Sequence, residues 1–320
     1  MPLFPQGGGL YPDSIDNSIL ADMADGTVKG RPLGAGTGNP VDLTQAQLQA
    51  IIGSTGGVVG AFGACRLVWV SNSVIQLNRY NGCLLTIDNA PQIIPAAGVQ
   101  LAPTGLTPST VYYIYAAMVS GAMVLEASTT THAVDARNGV EIKSGDATRT
   151  LVGIARASSG PIWSVTGATT ANTRSWYNDP GVETKSFITA NAGGSGVYPT
   201  FNNLLTSVIA MNLWANEIGF ATIVGSNWFA TSAVVIYTGI SIDSAAPEEG
   251  VDVKQSSAVN IPQSISCFAN FGPNRALAEG FHSWTAVGAT SASGGGALWS
   301  GNTSAGAGRL TLSVTTQGRR

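Results

Sequence analysis

The chain has 320 residues, 44% of them apolar and only 10% charged, with a formal net charge of −3. That balance excludes a disordered tail, which needs high charge and low apolar content. The 15 Lys and Arg are scattered without a basic stripe, which argues against a nucleic-acid partner. No apolar run approaches the roughly 20 residues needed to span a bilayer, so no membrane insertion is expected.

The start, "MPLFPQGGGLYPDS", lacks a basic region followed by an apolar core, so the expectation is a protein made and folded in a cytoplasm. Ile15, Ile19, Leu20 and Met23 then recur at helix-like intervals. A second short helix has well-marked ends. Thr44 and Gln47 form a capping box, Leu43 and Leu48 stand at staple positions, and Gly53 is a stop. Leu48, Ile51 and Ile52 make one small apolar face, too little for an isolated helix; three copies around an axis would bury it, the alternative being packing on the chain's own β-domain. Between the helices, Gly34, Gly36 and Gly38 alternate as GxGxG ahead of Pro40. A phosphate loop would follow a buried strand and deliver GxxxxGK[ST] or GxGxxG. With neither present, the reading is a flexible connector, and residues 1–58 form an amino-terminal segment.

Residues 59–170 read as a β-domain. "RLVWVS", "SVIQLNRY" and "CLLTID" are short β-prone runs, with Asn81-Gly82 as a hairpin turn signal between the last two. "TVYYIYAAMV" and "AMVLEAS" flank Ser120-Gly121 as a second hairpin. Residues 171–320 hold further β-prone runs broken by Gly, Asn, Ser and Pro, in the number expected of a jelly-roll sandwich. The predicted class is therefore mainly β: an extended segment with short helices, then two β-sandwich, jelly-roll-like domains.

Chemistry is sparsely marked. Cys65, Cys83 and Cys267 sit in apolar runs and read as buried thiols. His132 and His282 have no second ligand at i+3 or i+4, so no metal site is expected, and there is no GxSxG elbow. Glu248, Glu249 and Asp252 read as a solvated acidic loop, and Asp179 and Glu183 as turn residues. No catalytic group and no cofactor are expected. Sugar binding needs an aromatic platform beside polar hydrogen-bonding groups. Candidates are Trp299 with Asn302, ranked first for its loop-like setting, then Trp228 with Asn227, Trp284 with His282, and Trp176.

The amino-terminal stretch also resembles a known class. Ala21, Met23, Gly26, Thr27, Lys29, Gly30 and Arg31, then Pro40, Asp42, Leu43 and Thr44, are similar to a connector recurrent in tail-fibre, spike and head-fibre proteins of tailed bacteriophages. The match covers about 40 residues. It implies a homotrimeric virion component, made in the bacterial host cytoplasm and docked on a head or tail protein through its amino-terminal part. Its carboxy-terminal domains would attach to host surface polysaccharide. A head-decoration or tail-adaptor protein is the second reading, and a polysaccharide-degrading tailspike the third.

Overall fold

The computed structural model describes residues 28–37, 40–54, 61–158, 160–188, 192–193, 197–205, 208–229, 234–244, 249–255, 262–273, 275–291, 297–299 and 309–319. The molecule is mainly β with several sheets, and its chain divides into two compact units, Met1–Gly60 and Ala61–Arg320. The first anticipated helix and Asn302 lie outside the described residues.

In the first unit Gly34 and Gly36 lie in the loop of a small hairpin. Val28–Gly30 pairs antiparallel with Val41–Leu43, so a short strand does precede the glycines. Lys29 bonds Asp42 across the pair at 2.8 Å, and Arg31 Nε donates to the Gly36 carbonyl at 2.8 Å. Arg31 thereby clamps the loop on itself. The helix Gln45–Ser54 follows, with the expected reciprocal cap: Gln47 N–H donates to Thr44 Oγ1 at 3.2 Å, and Thr44 N–H to Gln47 Oε1 at 2.9 Å. Leu43 is buried, and Leu48 and Ile51 are half-buried.

The second unit holds two large apolar cores. One lies among strands between 65 and 157. Cys65–Ser71, Val74–Arg79 and Val99–Leu101 form a three-stranded sheet. A six-stranded sheet is centred on Asp146–Arg156 paired with Val111–Val119. Leu67, Ile75, Leu77, Ile114, Val152 and Trp163 pack in the shared core. The Ser120-Gly121 turn forms as expected, both residues at positive φ, closing Val111–Val119 onto Ala122–Ser128. Asn81-Gly82 behaves differently. Asn81 has φ 55°, yet the flanking strands do not pair, because Ala64 lies between them. Its N–H donates to the Leu84 carbonyl and its carbonyl accepts from Tyr80 N–H, both at 2.9 Å. Asp88-Asn89, at φ 48° and 58°, makes the local hairpin instead.

The other core lies between a seven-stranded sheet, whose centre is Ile209–Leu213, Gly280–Thr290 and Val235–Ile242, and a six-stranded sheet built on Gly219–Phe229. Strict alternation along Pro262–Phe271 turns Ile265, Cys267, Ala269 and Phe271 inward and leaves Ser266, Phe268 and Asn270 outside. A third, small cluster of Tyr115, Leu151, Ile154 and Trp214 joins residues of both halves, with Tyr113 and Trp176 packed against it.

Candidate functional site

Two of the four anticipated tryptophan platforms are core, and Trp176 and Trp228 are half-buried. Trp299, predicted to stand in an exposed loop, belongs to the strand Ala297–Trp299, is 0% exposed, and donates Nε1–H to Thr238 Oγ1 at 2.8 Å. Gly288 makes room for its ring: a Cβ there would sit 2.4 Å from Trp299 Cζ2. Trp284 is also fully buried, 5.6 Å from Phe271 between ring centroids. Asn227 is fully buried, Trp228 half-buried, and His282 is fixed by Asp243 at 2.6 Å and the Ala278 carbonyl at 2.7 Å. For Trp299 and Trp284 the physical reason is the same. A tryptophan flanked by small residues on a strand gains more from burying its ring than a loop reading allows. Two acidic groups are corrected too. Asp252 accepts Ser266 N–H at 3.0 Å within the strand Glu249–Gln255, and Glu183 lies in the strand Val182–Phe187.

Asp179, expected in a turn, accepts Gly181 N–H as a turn residue does and also belongs to a buried ion cluster centred on Arg174. Arg174 donates Nε–H to Asp179 at 2.8 Å, Nη2–H to Glu217 at 2.8 Å and Nη1–H to the Asn212 carbonyl at 3.0 Å. Gly181 N–H and Trp214 N–H donate to the other oxygen of Asp179 and of Glu217, at 2.8 and 2.9 Å. Beside this cluster His132 stands between Glu141, 2.7 Å from Nδ1, and Glu279, 3.0 Å from Nε2. Trp176 packs against His132 at 5.1 Å and edge-on against Trp214 at 4.9 Å. Arg319 covers the Trp176 ring at 3.7 Å.

These contacts make the junction pH-dependent. The hydrogen bond to Glu279 holds the His132 pKa above its ordinary 6.5, against the opposing pull of burial. Burial pushes the Glu279 carboxyl up, but hydrogen bonds from His132, Ala215 N–H and Tyr113 outweigh it and hold the group below its ordinary 4.5. The His132 contribution is complete below pH 6.5 and is lost as pH rises through the raised value. The Glu279 contribution is complete above pH 4.5 and is lost as pH falls through the lowered value. The thermal midpoint should therefore fall as pH climbs above 6.5, and His132→Gln should flatten that limb. Calorimetry across the range checks it; an unchanged slope in the variant refutes the assignment.

Two open pockets flank the backbone around Asp179 and Pro180. The first, about 410 Å³, is lined by Trp69 and by hydroxyls including Thr166, Thr170, Thr173 and Thr184. The second, about 680 Å³, is lined by Arg66, Tyr80, Asn81, Asn178, Gln317 and Arg319. Arg66 lies over the Tyr80 ring at 3.7 Å and donates Nε–H to the Asn178 carbonyl at 2.7 Å. Asn178 and Asn81 both hold positive φ, which asparagine tolerates better than most residues, so each can serve as a corner of the pocket. Of the anticipated platforms only Trp176 reaches this neighbourhood, beneath Arg319. Sequence reasoning missed Arg66, Tyr80 and Arg319. The one local signal was a pair of asparagine turns following Tyr80 and Tyr177.

Cys65 is pushed by burial to about 12 and Cys267 to about 11, so both thiols are protonated and inert at neutral pH. Among the described residues no group of three or more His, Cys, Asp and Glu could hold a metal, and no helix is long and apolar enough to cross a membrane.

No protein-family model matches the chain, and no curated protein does. Solved structures with a remote likeness include the insecticidal delta-endotoxin Cry8Ea1 from Bacillus thuringiensis, at 10% identity over 79% of this chain and 51% of that one, TM-score 0.25. Dimeric latent PorU from Porphyromonas gingivalis is similar at 9% identity over 86% and 23%, TM-score 0.26. The VP2 subviral particle of infectious bursal disease virus is similar at 11% identity over 81% and 59%, TM-score 0.23. The chain spans about half the length of the endotoxin and under a quarter of PorU. None of these likenesses carries a family or a function to this chain.

Proposed function

We propose that this chain is a non-catalytic, saccharide-binding attachment protein of a phage-type fibre or spike. In this reading its carboxy-terminal part is jelly-roll-like, and it acts as a homotrimer on host surface polysaccharide. The observation that carries the binding reading is the Arg66–Tyr80–Arg319 pocket, where a phenol ring, amides and guanidiniums converge on an open space of about 680 Å³. That size suits one or a few sugar units. The hydroxyl-lined pocket across Asp179 and Pro180 supplies room for a neighbouring unit. The connector resemblance supports the virion setting.

Self-association is supported by an outward sheet face. Phe220, Val224 and Phe268 are 47%, 50% and 59% exposed on neighbouring strands, with threonine and serine filling much of the space between them. Exposed apolar groups gathered on one face mark contact surfaces. Linked copies would turn weak single-site sugar contacts into firm attachment. A degrading enzyme is disfavoured by the same pockets: their described carboxylates are Asp179, consumed by Arg174, and Glu183, paired with Lys185. Glycoside hydrolysis needs two free carboxyl groups facing one bond.

A glycan array with the intact chain, paired with sedimentation, tests this. Tyr80→Ala should weaken retention on bound glycans at least tenfold with the oligomer unchanged. A chain that stays monomeric at micromolar concentration, or that retains host virion proteins but no glycan, favours the head-decoration or adaptor reading instead.

A further inference from the structure

We propose that the Arg66–Tyr80–Arg319 pocket takes an acidic saccharide, a sugar unit bearing a carboxylate, held between the two guanidinium groups. This deepens the saccharide-binding reading and rests on it.

The argument starts from the charges that line the pocket. They are Arg66, Arg319 and Asp179. Asp179 is 5% exposed and both its oxygens are engaged, one by Arg174 and one by Gly181 N–H. It therefore offers nothing to a ligand. No described carboxylate forms an ion pair with Arg66 or Arg319. The pocket lining thus presents two positive groups and one spent carboxylate, while Glu217, Glu279 and Glu141, outside the lining, act on Arg319 through space without forming an ion pair with it.

Both guanidiniums are already oriented. Each guanidinium carbon stands over an aromatic ring, 3.7 Å from its centroid, Arg66 on Tyr80 and Arg319 on Trp176, and Arg66 is further fixed through its Nε. Side chains so held lose little freedom when they bind. A planar guanidinium fork suits a carboxylate, which accepts two parallel N–H bonds. Arg319 gives the second observation. Its Nη1 is buried without a hydrogen-bond partner among the described residues. A half-buried cation with an unsatisfied donor is costly, a cost that a shift of the Arg319 side chain toward a bound oxyanion would offset. Asn81 and Gln317 on the same wall have the donors and acceptors that ring hydroxyls require, while Asn178 spends its Nδ2 hydrogens on the Gly63 and Cys65 carbonyls. A bare inorganic anion would use the two arginines and leave those amides idle, which is why the ligand is read as a sugar acid.

The test is a comparison of native and carboxyl-reduced polysaccharide on the intact chain. Polygalacturonate oligomers, sialylated glycans, neutral dextran and dextran sulfate are immobilised together, alongside the carboxyl-reduced form of each acidic glycan. Retention of at least one carboxylated glycan is expected, falling tenfold or more on reduction, with Arg66→Gln and Arg319→Gln each weakening it at least tenfold. Arg66→Lys should recover only part, because a lysine lacks the fork. Unfolding midpoints within a few degrees of the parent confirm that the variants are folded. If a glycan is bound but reduction and both arginine variants leave it unchanged, this inference falls and the saccharide reading survives. If no glycan of any class is retained, both fall. Equal retention of dextran sulfate with the same arginine dependence overturns the carboxylate assignment in favour of general anion binding.

Discussion

Replacing Arg174 with methionine is expected to cost about 3–5 kcal/mol of unfolding free energy, because it strands two carboxylates in the interior. Arg174, Asp179 and Glu217 have side chains only 3%, 2% and 4% exposed. Burial works against the guanidinium's charge, yet Asp179 and Glu217 outweigh it and hold the pKa above its ordinary value. Every carboxylate oxygen in the cluster accepts at least one N–H, so the geometry tolerates burial only as a complete set. The companion experiment is the triple variant Arg174→Met, Asp179→Leu, Glu217→Met. It removes all three charges and should recover much of the loss, as a buried pair replaced by apolar groups of similar volume often does. Urea denaturation of the single and triple variants decides it. A single variant costing under about 1 kcal/mol would mean that water reaches the carboxylates after all.

Trp299→Ala carries the second large effect, about 3–5 kcal/mol from the lost ring and the cavity left behind. The Nε1–H bond to Thr238 adds about 1 kcal/mol, which Trp299→Phe isolates. For a unit of this size each kcal/mol moves the midpoint by about 2–4 °C, so the alanine variant should melt at least 6 °C lower. Gly288→Ala approaches the same contact from the other side. Its Cβ would meet the indole at 2.4 Å, an overpacking that costs about 1–3 kcal/mol. Saccharide binding should be unaffected by Trp299→Phe. A loss of binding without a loss of stability would return Trp299 to the role its sequence context suggested.

That contrast defines what could be read from residues alone. The Thr44–Gln47 cap was legible because both partners lie within one turn, and its geometry depends on nothing else. Ser120-Gly121 was legible for the same reason: two residues at positive φ close a hairpin whose strands are adjacent in the chain. Asn81-Gly82 carries equal local chemistry, yet Ala64, 17 positions earlier, takes the hydrogen bonds its strands would have exchanged. A turn signal reports a bend and says nothing about who pairs afterwards.

Sequence by itself determined the class: low charge, short β-prone runs and frequent breaks force sheets stacked on apolar cores, since alternation leaves each strand one face to bury. It also determined the local caps and turns. Which tryptophans face water, which carboxylates are spent on Arg174, and how Arg66 comes to share a pocket with Arg319 were decided by the tertiary structure. Arg66 and its backbone partner Asn178 are 112 residues apart. Contacts at that separation form only when whole sheets pack, and no periodicity along the chain encodes them.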